Sequence, residues 1–400
     1  MEEPRIAERK GLRGFRLALV LIAVAVLSVT ATAFYFANRY GSLITVGEAV
    51  GLVSQNYYYY EDLDDDQLLT GALRGIADNL GDKYAAYYTE EEYATLLESN
   101  SGNYVGMGVL VTMQEDGGFY ITSVFENTPA SEAGLLSGDR ILWINDADAA
   151  AYTDLSAFLD NVSREVGDVN TLVVLRDGEE QTFSVSMREV YSPYVEHRML
   201  DADIGYIRIK GFQGKCVEEV KAALEDLDAQ GMTGLVLDVR DNLGGLLTDV
   251  NSIAEYFLPK GSVITTVRSR SAEEVVYRTN ADGRDKDVPI VMLVNGYSAS
   301  ASELLAGALH DNGAAVLVGT TTYGKGIVQS YFHINGNYGY LKMTTDAYDT
   351  PSGVCIQDAG LAPDIEVKLS EELMNQDVSL LTAEEDVQLA AAIAYLIDLI

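Results

Sequence analysis

Leu17–Ala37 runs 21 residues without a charge, long enough at about 1.5 Å per residue to cross the hydrocarbon core of a bilayer. Arg5, Arg9, Lys10, Arg13 and Arg16 precede it. A basic flank of that kind keeps the N-terminus cytoplasmic and places the rest of the chain on the far side. Ala31-Thr-Ala33 offers a small-residue cleavage site, so secretion after signal-peptide removal is the competing reading. The uncharged run continues past that site through Phe34-Tyr-Phe36, which favours an uncleaved single-pass anchor. Residues 44–100 then turn polar with helical periodicity. Val46, Ala49, Val50 and Val53 share one face, as do Leu68, Leu69, Ala72, Leu73 and Ile76, and Thr89-Glu-Glu-Glu92 opens a third helix with a capping signal. The tyrosine run Tyr57–Tyr60 reads as packing plus exposed rings.

From residue 101 to 187 the period shortens to that of strands. Val105-Gly106-Met107-Gly108-Val109 is a glycine-rich entry into one, Phe119–Val124 a second, Pro129–Leu135 a short helix, and Gly138–Ile144 leads into another strand. Thr153 is placed to cap a helix carrying Leu155, Phe158, Leu159 and Val162, and Asp177-Gly178 turns a hairpin between Thr171–Leu175 and Gln181–Val185. Beyond Ser192-Pro193 strands and helices alternate, the pattern of an α/β core. Ile204–Ile209 and Gly234–Arg240 are strands, Val217–Leu227 a helix, and Leu246, Val250, Ile253, Ala254 and Phe257 share a helix face after Asp241-Asn-Leu-Gly244-Gly245. Val288–Val294 is a buried strand, Leu304, Leu305, Ala308 and Leu309 mark a helix closed by Asn312-Gly313, and Ala314–Val318 is the next strand.

The chemistry concentrates between Val288 and Phe332. A strand that delivers serines to a helix N-terminus can hold a nucleophile beside unpaired amides able to stabilise an oxyanion. The local alternative is structural: Ser300 and Glu303 fit a capping box. Of the three histidines, His310 lies ten residues beyond Ser300 on the same helix, roughly 15 Å along its axis. Lys325, between Gly324 and Gly326, is the better base, provided burial depresses its pKa. Gln329, four residues on, projects from the same face of an extended segment and can orient the amine. Gly319–Gly326 mimics a phosphate-binding loop but ends in Gly326 where a magnesium-binding hydroxyl belongs, and strand follows it. Gly296-Tyr-Ser298-Ala-Ser300 starts like a nucleophile elbow without finishing as one.

A formal net charge of −34 argues for solubility and against nucleic-acid binding. Cys216 and Cys355 do not make a disulfide framework.

Ser298-Ala-Ser300-Ala-Ser302-Glu303, Tyr323-Gly-Lys325-Gly and Gln329 together resemble the carboxyl-terminal processing, or tail-specific, proteases. The resemblance implies that Ser300 is the nucleophile, Lys325 the general base and Gln329 its support, with no metal or nucleotide cofactor. Asp238-Val-Arg240-Asp-Asn242-Leu-Gly244-Gly245 resembles the family's D-L-R-x-N-P-G-G, with Leu243 in place of proline. It implies an oxyanion hole of backbone amides from Ala301 and from Gly244 or Gly245. Ala347–Gly353 and Gly360–Asp364 resemble two further blocks, with Val354-Cys355 where the family has arginine. G-M-G-V, P-A-S-E-A-G-L and G-D-R-I-L-W-I resemble a PDZ domain, which implies that amides at Gly106, Met107, Gly108 and Val109 receive a substrate's C-terminal carboxylate.

The expected architecture is α/β: a crotonase-like, ClpP-like spiral protease core with an inserted β-rich PDZ domain, a helical N-terminal region and an N-terminal transmembrane helix. Its expected segments are a cytoplasmic basic stretch 1–16, the anchor 17–37, a helical region 41–100, PDZ 101–187, catalytic core 188–370 and an acidic amphipathic tail 371–400 that packs on its own core or on a partner subunit. The expected function is an ATP-independent serine endopeptidase acting on extracytoplasmic proteins or peptides through their C-termini. Its implied partners are those substrates, the membrane and a second copy in a homodimer. A catalytically silent PDZ-bearing scaffold is the rival reading, and retention of all three catalytic side chains argues against it.

Overall fold

Residues 3–56 form one helix, α1 (Glu3–Asn56), in the computed structural model. The structure describes residues 3–114, 116–270, 272–283, 288–336, 338–374 and 376–400. Side chains are described from residue 19 onward except at 40, 42–44, 62 and 65, so the basic flank Arg5–Arg16 lies outside the described side chains. The sequence suggested separate helices for the apolar run and for residues around Val46. With no proline and no left-handed glycine between them, the i→i−4 hydrogen bonds continue through both. Leu19–Arg39 within α1 is long and apolar enough to cross a membrane, a test that a signal sequence also passes.

The chain divides after Gly75 into two compact units, within α2 (Asp65–Asp78). The second unit begins its regular structure with β1 (Ala86–Tyr88) and α3 (Glu90–Asn100). The capping box at α3 forms: the Glu92 N–H donates to Thr89 Oγ1 at 3.1 Å, and the Thr89 N–H donates to the Glu92 carboxylate at 2.9 Å.

A small β module follows, made of β2 (Asn103–Gly106), β3 (Val109–Met113), β4 (Phe119–Val124), α4 (Pro129–Ala133), β5 (Arg140–Ile144), β6 (Ala147–Asp148), α5 (Leu155–Leu159), β7 (Val169–Arg176), β8 (Glu179–Ser186) and β9 (Arg188–Tyr191). Its sheet runs β3-β4-β5-β7-β8 with β6 added to β5, and β2 pairs with β9 as a separate ribbon. Phe119, Ile121, Ile141, Phe158, Leu172 and Val174 fill its core. Asp177 and Gly178 both take positive φ, which makes the two-residue turn that lets β7 and β8 twist together. Asp154, not Thr153, caps α5: its carboxylate accepts the Ala157 N–H at 2.9 Å. A cap must sit one residue before the first helical position for its side chain to reach the third amide.

The remaining elements are β10 (Val195–Met199), β11 (Ile204–Ile209), α6 (Cys216–Ala229), β12 (Gly234–Asp238), α7 (Leu247–Ala254), β13 (Val263–Ser269), β14 (Val275–Arg278), β15 (Ile290–Val294), α8 (Ala301–Asp311), β16 (Ala315–Gly319), β17 (Ile327–His333), β18 (Tyr340–Asp349), β19 (Ile365–Glu366) and α9 (Val387–Ile397). A central sheet runs β10-β11-β12-β15-β16-β19, parallel except at β10. Every residue of β11, β12 and β15 is buried, as expected of parallel strands covered on both faces. Ile207, Leu237, Met292 and Leu317 pack with α6, α7 and α8 on one side. Tyr206, Val236, Leu293 and Val318 pack with Ala392 and Leu396 of α9 on the other. The acidic tail thus closes its own chain's core. Its anchor is a buried ion network in which the Arg240 guanidinium bridges Asp238 at 2.7 Å and Asp386 at 2.7 Å, and donates to Gln388 at 3.0 Å.

A second sheet, β1-β18-β13-β14, flanks the first, with β17 also paired along β18. On one edge β18 pairs with β17 over most of its length; on the other it meets β1 at Tyr340–Lys342 and β13 at Asp346–Asp349. This sheet brings residues from the N-terminal third beside the β17–β18 hairpin.

Candidate active site

Ser300 lies at the junction of β15 and α8 with φ 55° and ψ −112°, a conformation that L-residues rarely occupy and that functional sites tolerate. The three serines of S-A-S-A-S separate cleanly. Ser298 is buried and donates to the Val239 carbonyl at 2.8 Å; Ser302 is buried and donates to the Asn242 carbonyl at 2.8 Å. Ser300 alone of the three lines a cavity of about 280 Å³, together with Ala301, Gly245, Lys325 and Gln329. Leu243, Leu246, Leu247, Ile327 and Val328 form the apolar part of its wall, and Leu243, standing where a proline was expected, is 71% exposed at this site.

Glu303 ties the two halves of the site together. Its fully buried carboxylate accepts from the Ser300 N–H at 2.8 Å, the Lys325 N–H at 2.8 Å, the Gly324 N–H at 2.7 Å and the Thr322 hydroxyl at 2.6 Å. Its position in the first turn of α8 also sets its negative charge against the helix's positive end. The cap and the catalytic reading of this segment are therefore one arrangement, in which the residue that starts the helix also holds the lysine loop. Tyr348, buried on β18, donates its hydroxyl to the Ser300 carbonyl at 3.0 Å and approaches the Lys325 carbonyl as well.

Lys325 sits in the loop before β17, half-buried, with its Nζ 4.5 Å from the centre of the Tyr84 ring. Burial holds its pKa below the usual lysine range, and the neighbouring charges of Lys342 and Lys83 push the same way, against Glu303 and Asp82. Gln329, on β17 just after a register shift, donates its Nε2 to Thr344 Oγ1 at 3.2 Å. It shares the cavity with Lys325.

The two glycines of the β12–α7 turn differ. Gly244, at φ 108°, leaves no room for a side chain, since a Cβ would lie 2.8 Å from the Ala299 carbonyl oxygen and 2.9 Å from Ser300 Cβ. Its own N–H donates to Asn242 Oδ1 at 2.8 Å. Of the two glycines expected as alternative oxyanion donors, Gly244 has its amide taken by the buried Asn242 side chain. Among the described residues the Gly245 and Ala301 N–H groups have no protein partner. The histidines lie elsewhere, His197 against Asp226, His310 between Asp311 and Asp364, and His333 against Glu90.

In the small β module, Gly108 has φ 86°, and a Cβ there would lie 2.3 Å from the Thr128 side chain. The carbonyls of Met107 and Gly108 are occupied by the Ala130 and Phe125 N–H groups, each at 2.9 Å. Among the described residues the Met107 and Gly108 amides have no protein partner. Gly106 ends β2 under the Tyr104 ring, Val109 starts β3, and β3 is an open edge of its sheet. Successive amides beside an open edge can take a carboxylate and an extended peptide.

Ser300, Ala301, Lys325 and Gln329, the residues expected from the sequence, come together at one cavity, whereas Glu303 was expected only as a cap and Asn242, Tyr84 and Lys342 were not expected at the site. Glu303 gave the only local signal, a carboxylate three residues after the serine.

The description of peptidase family S41 matches residues 203–367, and that of a PDZ domain matches residues 105–187. The carboxy-terminal-processing protease of Bartonella bacilliformis is 34% identical over 351 residues, covering 86% of this chain and 79% of the relative. The carboxy-terminal processing protease CtpB of Bacillus subtilis is 31% identical over 346 residues, covering 85% and 71%. A solved structure from Bacteroides fragilis, described as an S41 protease, superposes with a TM-score of 0.55 at 16% identity over 86% of this chain and 96% of that one, a likeness of fold alone.

Proposed function

This chain belongs to the carboxy-terminal-processing serine proteases of peptidase family S41 and carries a PDZ domain, and from that premise we propose that Ser300 and Lys325 form its catalytic dyad. The observation that carries this reading is that one cavity holds both the strained Ser300 and the half-buried Lys325, while all three histidines lie elsewhere. Neutral Lys325 takes the Ser300 Oγ proton as the oxygen attacks the scissile carbonyl; the resulting ammonium then protonates the leaving amine as the acyl-enzyme forms. Water, deprotonated by the same lysine, releases the product acid and restores the serine. The Ala301 and Gly245 amides face the oxyanion. Gln329, its nitrogen fixed on Thr344, keeps its amide oxygen as an acceptor for the lysine amine.

The same reading extends to the whole chain. The core at 188–370 adopts the crotonase-like, ClpP-like spiral fold with the tail 371–400 closing it, and residues 41–100 help build a homodimer. Gly106–Val109 receives the free carboxylate of a protein or peptide substrate, and cleavage needs no ATP. The N-terminal helix acts as an uncleaved anchor with the catalytic part on the extracytoplasmic side. Supporting this, the uncharged run continues past Ala31-Thr-Ala33 through Phe34-Tyr-Phe36.

A lysine base works only when neutral, so kcat/KM will climb with pH along an alkaline limb and level off above the folded pKa, which lies below the ordinary lysine value of about 10.4. The sign for stability is related. Below its folded pKa the buried ammonium is destabilising, and that penalty fades as pH rises toward the unfolded value. Rates for a short reporter peptide from neutral to alkaline pH test the proposal; a flat profile with chemistry limiting contradicts it.

Restraint of such a protease by its PDZ domain is also testable. If the PDZ domain moves between an arrangement that covers the catalytic groove and one that opens it, a short peptide with a free C-terminal carboxylate that binds the open one more tightly will accelerate cleavage of a reporter that lacks a PDZ-binding tail. Its amidated twin will not. No acceleration by either peptide means the domain tethers substrate without gating.

A further inference from the structure

The catalytic cavity is charged in the opposite sense to the rest of the molecule. The chain holds 61 acidic and 27 basic residues, yet no carboxylate lines this cavity and two lysines, Lys325 and Lys342, do. Lys342 lies on β18 opposite Tyr331 of β17 and Ala86 of β1. It is two residues from Thr344, hence on the same strand face, and Thr344 receives the hydrogen bond from Gln329. Its Nζ stands 5.8 Å from the Tyr331 ring centre and, among the described residues, forms no ion pair with a carboxylate.

Every charged or titratable group that faces the Lys325 amine has a defined disposition. Glu303 on α8 engages four donors. Asp82, in the loop before β1, accepts from the Thr344 N–H at 2.8 Å and the Tyr84 N–H at 3.0 Å. Tyr84 presents its ring to Lys325, Tyr348 points its hydroxyl at main-chain carbonyls, and Lys83 lies over the Tyr84 and Tyr323 rings. Both nearby carboxylates are held by local hydrogen bonds and lie outside the cavity lining; Asp82 feels the Lys342 charge as well as that of Lys325, while Lys342 is the second amine on the cavity wall.

Resting on the dyad reading, we propose that Lys342 is a positioning residue that acts on the reaction through Lys325: its fixed positive charge across the cavity favours the neutral, proton-accepting form of that amine. Like charges that share one partly desolvated cavity repel by enough to move a titration by on the order of one pH unit. The direction agrees with the depression at Lys325, to which Lys342 is the largest contributor after burial.

The test is the pH dependence of kcat/KM for the full-length protein in detergent, with a short uncharged reporter peptide and a second reporter bearing an acidic side chain, for wild type, Lys342→Met, Lys342→Gln and Lys342→Arg. The methionine and glutamine variants will show the alkaline limb about one unit higher, with activity about tenfold lower at pH 7 and a high-pH plateau within about threefold of wild type. The arginine variant, which keeps the charge, will retain the wild-type limb. The inference is overturned if the neutral variants lose activity equally at every pH with the limb in place, which marks a structural role. It is equally overturned if their only change is a raised KM for reporters bearing an acidic side chain, which marks a substrate contact. A wild-type profile with no alkaline limb, or an active Lys325→Ala, removes the dyad reading itself; an intact wild-type limb that ignores Lys342 removes this inference alone.

Discussion

Ser300→Ala and Lys325→Ala will each lower kcat by about 10⁴-fold or more against an unfolded protein substrate, with the fold unchanged. The serine hydroxyl is the only nucleophile of its motif that reaches the cavity, because Ser298 and Ser302 are committed to carbonyls of the β12–α7 turn. The main-chain contacts that hold position 300, its N–H to Glu303 and its carbonyl from Tyr348, survive the substitution, so the unfolding midpoint will stay near wild type. Lys325 is likewise held through its backbone N–H, and removing its amine takes away the base without releasing the loop. His310→Ala, which disturbs only a partly exposed site between Asp311 and Asp364, will leave turnover within a few-fold. An active Lys325→Ala together with a dead His310→Ala would show that the assignment of the base is wrong.

Glu303→Gln will damage both activity and stability although it preserves size and shape. The carboxylate accepts from three N–H groups and one hydroxyl. An amide in its place aims its own NH₂ at two of those donors, leaving buried polar groups facing each other unsatisfied. Each buried donor left without a partner costs about 1–3 kcal/mol, so a total destabilisation of ~2–6 kcal/mol follows for two of them. Because the same side chain positions the amides of Ser300 and Lys325, kcat will fall by about 10²- to 10³-fold, the penalty expected when catalytic groups shift by an ångström or less. Denaturant midpoints and steady-state rates on the same preparation measure the two effects. Wild-type turnover in Glu303→Gln would show that the carboxylate does not position the dyad.

Much of the α/β core was readable from local pattern. The all-buried strands β11, β12 and β15 and the helices α6, α7 and α8 each satisfy their apolar periodicity within a few consecutive residues. The start of β17 was read as strand after Gly326, but its hairpin with β18 and the β13–β14 pair were not, because strands with mixed burial carry no continuous apolar run. The continuity of α1 was missed for a related reason: two separate hydrophobic patterns do not reveal that nothing between them breaks the helix.

The sequence by itself determined the spacing of serine, lysine and glutamine, the glycines of the β12–α7 turn and the apolar N-terminal span, since each is written in neighbouring residues. Tertiary structure decided which groups act on them. Only the fold brings Tyr84 and Lys342, far apart in the chain, to Lys325, points the Glu303 carboxylate at the lysine loop, and commits the Gly244 amide to Asn242. A pKa or an oxyanion donor depends on distance, burial and competing hydrogen-bond partners, and chain order constrains none of these beyond a few residues.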